Sequence, residues 1–316
     1  MTHDQADHDH SHGPRGHDHG HAHGPGGHHH HAAPEDWRYG VGLIVNLIFV
    51  FIEFGYGIAS SSTALIADAG HNLSDVLGLG LAGGAAWLAR RAATNRRTYG
   101  YRKATVLAAL GNAIILVFAC GAIAIEAVRR AFYPLEVAST TVMVVAGIGF
   151  IINLGTALLF LTSRKHDLNA RGAWLHMIAD AAVSIGVVIA GALILFTGWS
   201  WIDPLVGLLI VVVILWGTWG LLTESLDMAL DSAPAGLDVE EIRTTLAGLP
   251  GVIEAHHLHV WSLSTTERAL TAHLVRAEPA TAEFYEQAQT LLKARFGVGH
   301  ATLQVETTGA GGCAEC

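Results

Sequence analysis

Six apolar runs set the terms on which this chain can fold. They lie near 39–59, 64–90, 105–131, 140–162, 173–197 and 203–223. Each holds about 20 residues or more, enough at roughly 1.5 Å per residue to cross a hydrocarbon layer roughly 30 Å thick. Of the 316 residues 51% are hydrophobic and only 14% charged, with a mean hydropathy of +0.41. This composition argues against an ordinary soluble domain and predicts a polytopic α-helical membrane protein with six transmembrane helices. Glycines recur within the runs, at Gly78, Gly80, Gly83, Gly84, Gly147, Gly149, Gly186 and Gly191. Small residues of this kind let helix backbones approach closely in lipid.

Two of the runs carry ionisable residues at the same spacing. His71 and Asp75 form one His-x-x-x-Asp motif, and His176 and Asp180 form another. On a helix, positions i and i+4 share a face, so each run presents an imidazole and a carboxylate in one direction. Ionisable groups inside a span are costly and usually face a bundle interior or an ion path. A single pair is as compatible with a structural hydrogen bond as with a ligand site. Two identical pairs, packed face to face, would offer two nitrogens and two oxygens, a donor set that suits tetrahedral Zn²⁺. Asn46 and Glu53, seven apart on the first run, share a face that either bonds between helices or lines the ion path. Asp68, one turn before His71, is either a residue behind the ligands or at the mouth of the path, or a third ligand, and the former is preferred.

Arg90, Arg91, Arg96, Arg97, Arg102 and Lys103 separate the second and third runs, and Arg164, Lys165 and Arg171 separate the fourth and fifth. The links 60–63 and 198–202 carry no basic residue. The positive-inside rule places the basic loops, and both termini, in the cytoplasm. Arg129 and Arg130 run against this trend but are outnumbered. Trp199 and Trp201 stand where interfacial anchors are expected.

The flanks differ from the apolar middle. Residues 1–36 hold twelve of the 20 histidines, interleaved with Asp, Gly and Pro, and are expected to be a disordered metal-capturing tail. Residues 37–231 form the transmembrane domain, 232–308 a cytosolic domain, and 309–316 a terminal tail. The cytosolic stretch reads as helix 238–248, strand 252–263, strand 267–277, helix 280–296 and strand 300–307. That order predicts an α+β sandwich with helices on one face of an antiparallel sheet. Strand alternation would put His257 and His259 on one face and His256 on the other. Cys313 and Cys316 have chelating spacing, whereas Cys120 sits in an apolar run as a small core residue. A net charge of −9 argues against a nucleic-acid partner. No basic segment followed by an apolar stretch opens the chain, so no cleaved signal peptide is visible.

Beyond these physical readings, Ser62 to His71 with Asp75 resembles the second-span motif of the cation diffusion facilitator family. Tyr99-Gly100-Tyr101-Arg102-Lys103-Ala104, His176 to Asp180, Trp201-Ile202-Asp203-Pro204 and Thr302-Leu303-Gln304-Val305-Glu306 are similar to that family as well. The resemblance covers the chain from about residue 38 onward and is nearest to the zinc-type bacterial branch. It implies a homodimer in the bacterial inner membrane that exchanges cytosolic Zn²⁺ for protons at a site between spans two and five. It also implies a ferredoxin-like cytosolic domain that binds metal, with His256 and His273 as ligands and His300 and Glu306 as weaker candidates. The basic loop Arg91–Lys103 has no His or acid, so the additional loop metal site of some relatives is not expected.

An exporter of Co²⁺, Ni²⁺ or Cd²⁺ is the alternative within this class, because borderline ligands accept several divalent ions. An intramembrane metalloenzyme is disfavoured, since no His-Glu-x-x-His is present and the site is already four-coordinate. A metal sensor would not need ligands inside two spans. No phosphate-binding Gly-x-x-x-x-Gly-Lys-[Ser/Thr] loop supports nucleotide-driven transport.

Overall fold

A computed structural model describes residues 37–160 and 168–307. The expected His-rich tail and the Cys313/Cys316 pair lie outside the described residues. Six long helices come first: α1 (Trp37–Ala59), α2 (Thr63–Ala89), α3 (Ala104–Phe132), α4 (Ser139–Phe160), α5 (Leu168–Thr197) and α6 (Ile202–Ala229). Among the described residues, four of them (α3, α4, α5 and α6) are long and apolar enough to cross a membrane. α1 adds a shorter apolar stretch, Ile44–Ala59. α2 is long but is interrupted by Asp68, His71, Asn72 and Asp75. Large apolar side chains such as Phe118, Phe132, Phe196 and Trp216 point outward, as lipid rather than water would favour.

The most extensive helix contacts pair α4 with α5 and α3 with α6, and α2 lies against α1, α3 and α6. Their shared core contains Leu65 and Ala67 of α2, Leu116 and Cys120 of α3, Val142 and Ala146 of α4, Val187 of α5 and Val211 of α6. The glycines divide into two sets. A methyl group at Gly149 would meet the Phe49 ring at 2.9 Å, and Gly78 and Gly191 are similarly crowded by Asn112 and Met143. Gly80, Gly83, Gly84, Gly147 and Gly186 face open space, so close approach does not explain them.

After the bundle come α7 (Val239–Ala247), β1 (Val252–Ser262), β2 (Arg268–Arg276), α8 (Ala282–Phe296) and β3 (Val298–Thr307). The caps fit their residues. Asp238 accepts from the first-turn amides of α7, Thr281 does so for α8, and Gly297 ends α8 with φ +67°, a left-handed conformation that suits glycine. Both helices and the sheet share one core, centred on Ile242, Leu246, Leu270, Leu274 and Leu292.

The sheet order is β1-β2-β3, with β1 and β2 antiparallel and β2 and β3 parallel. The expected antiparallel sheet is therefore corrected to a mixed one. The physical reason is the connection: a strand that returns through helix α8 comes back in the same direction.

The two parts meet at the α2–α3 loop. Arg102 Nη1 lies 2.8 Å from Glu267 Oε2, and the Thr265 amide donates to Thr105 Oγ1 at 3.1 Å. Lys103 pairs with Asp231 and donates to the Met228 carbonyl at 3.3 Å.

Candidate metal centres

α2 and α5 run past one another so that both His-x-x-x-Asp pairs face the same point. His71 Nε2 lies 3.7 Å from Asp75 Oδ2 and 3.7 Å from Asp180 Oδ1. His176 Nε2 lies 3.2 Å from Asp75 Oδ2 and 3.5 Å from Asp180 Oδ2. Each imidazole thus touches its own helix's carboxylate and the one across, closing a ring of alternating nitrogen and oxygen. The two rings stand edge to face, 6.0 Å between centroids. Four ligands at Zn–N and Zn–O bond lengths in a tetrahedron have donor atoms roughly 3.4 Å apart. The observed ring edges bracket that value. Asp180 is 2% exposed, while His71, Asp75 and His176 are 21–31% exposed, so Asp180 is the buried member of the ring. Two carboxylates and two neutral imidazoles carry a charge near −2, which a divalent cation neutralises in a medium that penalises unpaired charge.

Behind the ring lies a second polar layer. Asp68 is fully buried, accepting from Ser184 Oγ of α5 at 3.0 Å and from Asn72 Nδ2 at 3.5 Å. Glu53 of α1, also fully buried, lies beside Asp68 and Asn72. Asn46, on the same helix, donates to the Met177 sulfur at 3.5 Å, next to His176. The face shared by Asn46 and Glu53 therefore does look into the bundle. Ser184 escaped the sequence reading. Its one available signal is its position, one turn beyond Asp180 on the same face.

The second centre is on the cytosolic sheet. The ligand atoms of His256, His257 and His273 all lie within 4.8 Å of one another. Glu306 joins them, with Oε1 2.8 Å from His273 Nδ1 and Oε2 3.8 Å from His256 Nε2. His256 and His273 are direct cross-strand partners, so they share a face. Here strand alternation breaks down. The register shifts by one residue between His256 and His259, and His257 has φ +47°. This β-bulge turns His257 onto the face of His256, and it brings His259 to that face as well, further along the strand opposite Thr271, where it is exposed. His300 is also apart from the cluster, its ring 5.6 Å from Tyr99 in the α2–α3 loop. Three imidazoles and a carboxylate form a donor set suited to Zn²⁺.

Arg130, which ran against the charge rule, has a local role. It bonds Glu126 at 2.8 Å and the Ser61 carbonyl, holding the turn between α1 and α2.

Two family models match this chain. The cation efflux transmembrane domain covers residues 40–228, and the cytoplasmic domain of cation efflux proteins covers 234–308. The chain is 36% identical over 261 residues to the zinc transporter ZitB of Escherichia coli (strain K12), covering 82% of this chain and 83% of that one. It is 33% identical over 272 residues to the cadmium, cobalt and zinc/H(+)-K(+) antiporter of Bacillus subtilis (strain 168), covering 84% of this chain and 88% of that one. A solved structure of the metal-bound C-terminal domain of the CzcD transporter from Cupriavidus metallidurans is 29% identical over 22% of this chain and 99% of that one, with a TM-score of 0.21.

Proposed function

This chain belongs to the cation efflux, or cation diffusion facilitator, family and to its zinc-type branch, and from that premise we infer that it carries Zn²⁺ out of the cytosol in exchange for protons. It is a multi-pass membrane protein whose relatives move divalent cations, and it is a transporter rather than an enzyme. The observation that supports the zinc reading is the closed four-donor ring of His71, Asp75, His176 and Asp180, with edges of 3.2–3.7 Å.

In this reading the ring is the transport site. Metal needs the ligands deprotonated, so metal and protons compete for the same lone pairs. A proton arriving from the far side displaces the metal there, and the emptied site gives up the proton to the cytosol. All of α1–α6 are spans, residues 37–231 form the transport domain and residues 232–308 a ferredoxin-like domain. Two copies form a homodimer in a bacterial inner membrane, with both termini cytoplasmic. The cluster of His256, His257, His273 and Glu306 holds a resident Zn²⁺, and residues 1–36 gather metal near the membrane. Cys313 and Cys316, in the tail 309–316, are further candidates for holding metal.

The test is flux in proteoliposomes with a panel of ions under an imposed pH gradient. Zn²⁺ uptake driven by the gradient is the expected result, and uptake that ignores the gradient would overturn proton exchange. Preference for Cd²⁺ or Co²⁺ over Zn²⁺ would favour the alternative substrate, and the name of the Bacillus relative includes both of these ions beside zinc.

A further inference from the structure

α2 supplies two of the four ring donors, and its first turn is tied down by one residue of α6. Asp203 is 1% exposed. One carboxylate oxygen accepts the Ser62 hydroxyl. The other accepts both the Thr63 amide and the Thr63 hydroxyl, each at 2.6 Å. Ser62 is the N-cap of α2, and its hydroxyl oxygen also accepts the Leu65 amide at 3.1 Å. Among the described residues no cation pairs with Asp203. Its charge is balanced by three donors and by the N-terminal ends of α2 and α6, where helix dipoles favour an anion.

Packing reinforces these bonds. A methyl group at Gly207, one turn along α6, would sit 3.0–3.1 Å from the Thr63 and Ala64 backbone. Arg130 of α3 holds the Ser61 carbonyl, and the Ala138 amide donates to the Ser60 carbonyl at 3.2 Å. This end of α2 is therefore fixed, at the side of the bundle away from the cytosolic domain. The other half of α2 is mostly exposed from Leu77 onward.

Thr63 precedes His71 by eight residues, about 12 Å along the helix, and each residue turns the helix by about 100°. A small slip or rotation at the first turn is thus carried down α2 to His71 and Asp75.

We propose that Asp203 is a positioning residue of the transport site, fixing the height and rotation of α2 and so the distance of His71 and Asp75 from His176 and Asp180. The inference rests on the four-donor ring being the transport site. Asp203 touches no cargo. It acts through Ser62 and Thr63 on the helix that does.

The experiment is Zn²⁺ and Cd²⁺ flux by the full chain in proteoliposomes, comparing Asp203→Asn, Thr63→Val, Thr63→Ser and Asp180→Ala, with folded protein measured for each. Asp203→Asn is expected to raise the Zn²⁺ KM about tenfold and to change the Zn²⁺:Cd²⁺ ratio, as loss of support behind metal ligands does. Thr63→Val keeps the amide but loses the hydroxyl, and is expected to raise KM about fivefold, the scale of one hydrogen bond. Thr63→Ser keeps both donors and leaves KM unchanged. If Asp203 only caps helices, Asp203→Asn and Thr63→Val will reduce folded protein and Vmax but leave KM and the ion ratio of the folded fraction unchanged. That result overturns the proposal. Should Asp203→Asn fail to fold, an unchanged KM in Thr63→Val overturns it equally. Full transport by Asp180→Ala would instead show that the ring itself has been misassigned.

Discussion

The ring inside the bundle and the cluster on the cytosolic sheet use the same side-chain types but are held differently. His71, Asp75, His176 and Asp180 project from two helices that meet over a short stretch and are joined by no backbone hydrogen bonds. His256, His257, His273 and Glu306 come from three strands of a single hydrogen-bonded sheet. Donor spacing in the ring therefore follows every shift of α2 against α5. Donor spacing in the cluster is fixed by the ladder and changes only if the domain opens. The first arrangement suits a cargo that must leave, and the second suits a metal that stays.

The sharpest way to break this comparison is to remove one donor from each centre. Asp180→Ala or Asp75→Ala is expected to abolish Zn²⁺ flux in proteoliposomes while the protein stays folded. His273→Ala is expected to leave flux measurable. Loss of transport in both, or in neither, would dissolve the distinction between cargo and resident sites.

A smaller effect tests how the cluster is assembled. His257→Ala is expected to weaken Zn²⁺ binding at the cytosolic centre by at least about tenfold, because losing even a group that supports a ligand costs that much. His259→Ala and His300→Ala are expected to leave it unchanged. Calorimetric titration of the chain carrying Asp180→Ala and lacking residues 1–36 and 309–316 isolates this centre from the ring and from the other candidate metal ligands. Equal losses for His257 and His259 would mean that the bulge does not set which imidazoles reach the metal.

Selectivity provides the next test. His71→Asp turns the ring into three carboxylates and one imidazole, on the same helix face. Carboxylate suits harder ions and imidazole suits Zn²⁺, so Mn²⁺ is expected to gain severalfold on Zn²⁺ in a competition flux assay. An activity loss in equal proportion for every ion would count against His71 as a ligand. The smallest effect is expected from deleting residues 1–34. Apparent affinity should change at low metal, with no change in flux at saturation. Complete loss of flux would make the His-rich segment part of the route.

The difference between the centres also explains what was legible in the sequence. Two His-x-x-x-Asp motifs fix their own geometry, because a helix repeats every 3.6 residues and puts i and i+4 together. Helix positions followed from apolar runs for the same reason, to within a few residues at most ends, although α6 continues to Ala229. The bulge at His257 was not legible, since strand alternation assumes a regular register and no residue nearby announces the extra one. The parallel pairing of β2 and β3 was available in principle from the intervening helix α8. The bonds from Ser62 and Thr63 to Asp203 span about 140 positions of sequence, and no local pattern links them. Arg130 stood against the charge rule unexplained, because a charge beside an apolar run carries no sign of whether it faces solvent or a carbonyl.

The bulge has a further consequence for how copies of the cytosolic domain can meet. β1 is an outer strand of the three-stranded sheet, so among the described residues one row of its amides and carbonyls has no strand beside it. A long flat edge of that kind invites a second copy to add its own strand and build a continuous sheet. β1 departs from regular pairing twice, between Val252 and Glu254 and again between His256 and His259. Each departure bends and twists the edge, so an incoming strand finds no straight run of partners. The bulge that turns an imidazole toward a metal thus also blunts this edge against the edge-to-edge addition of a second copy.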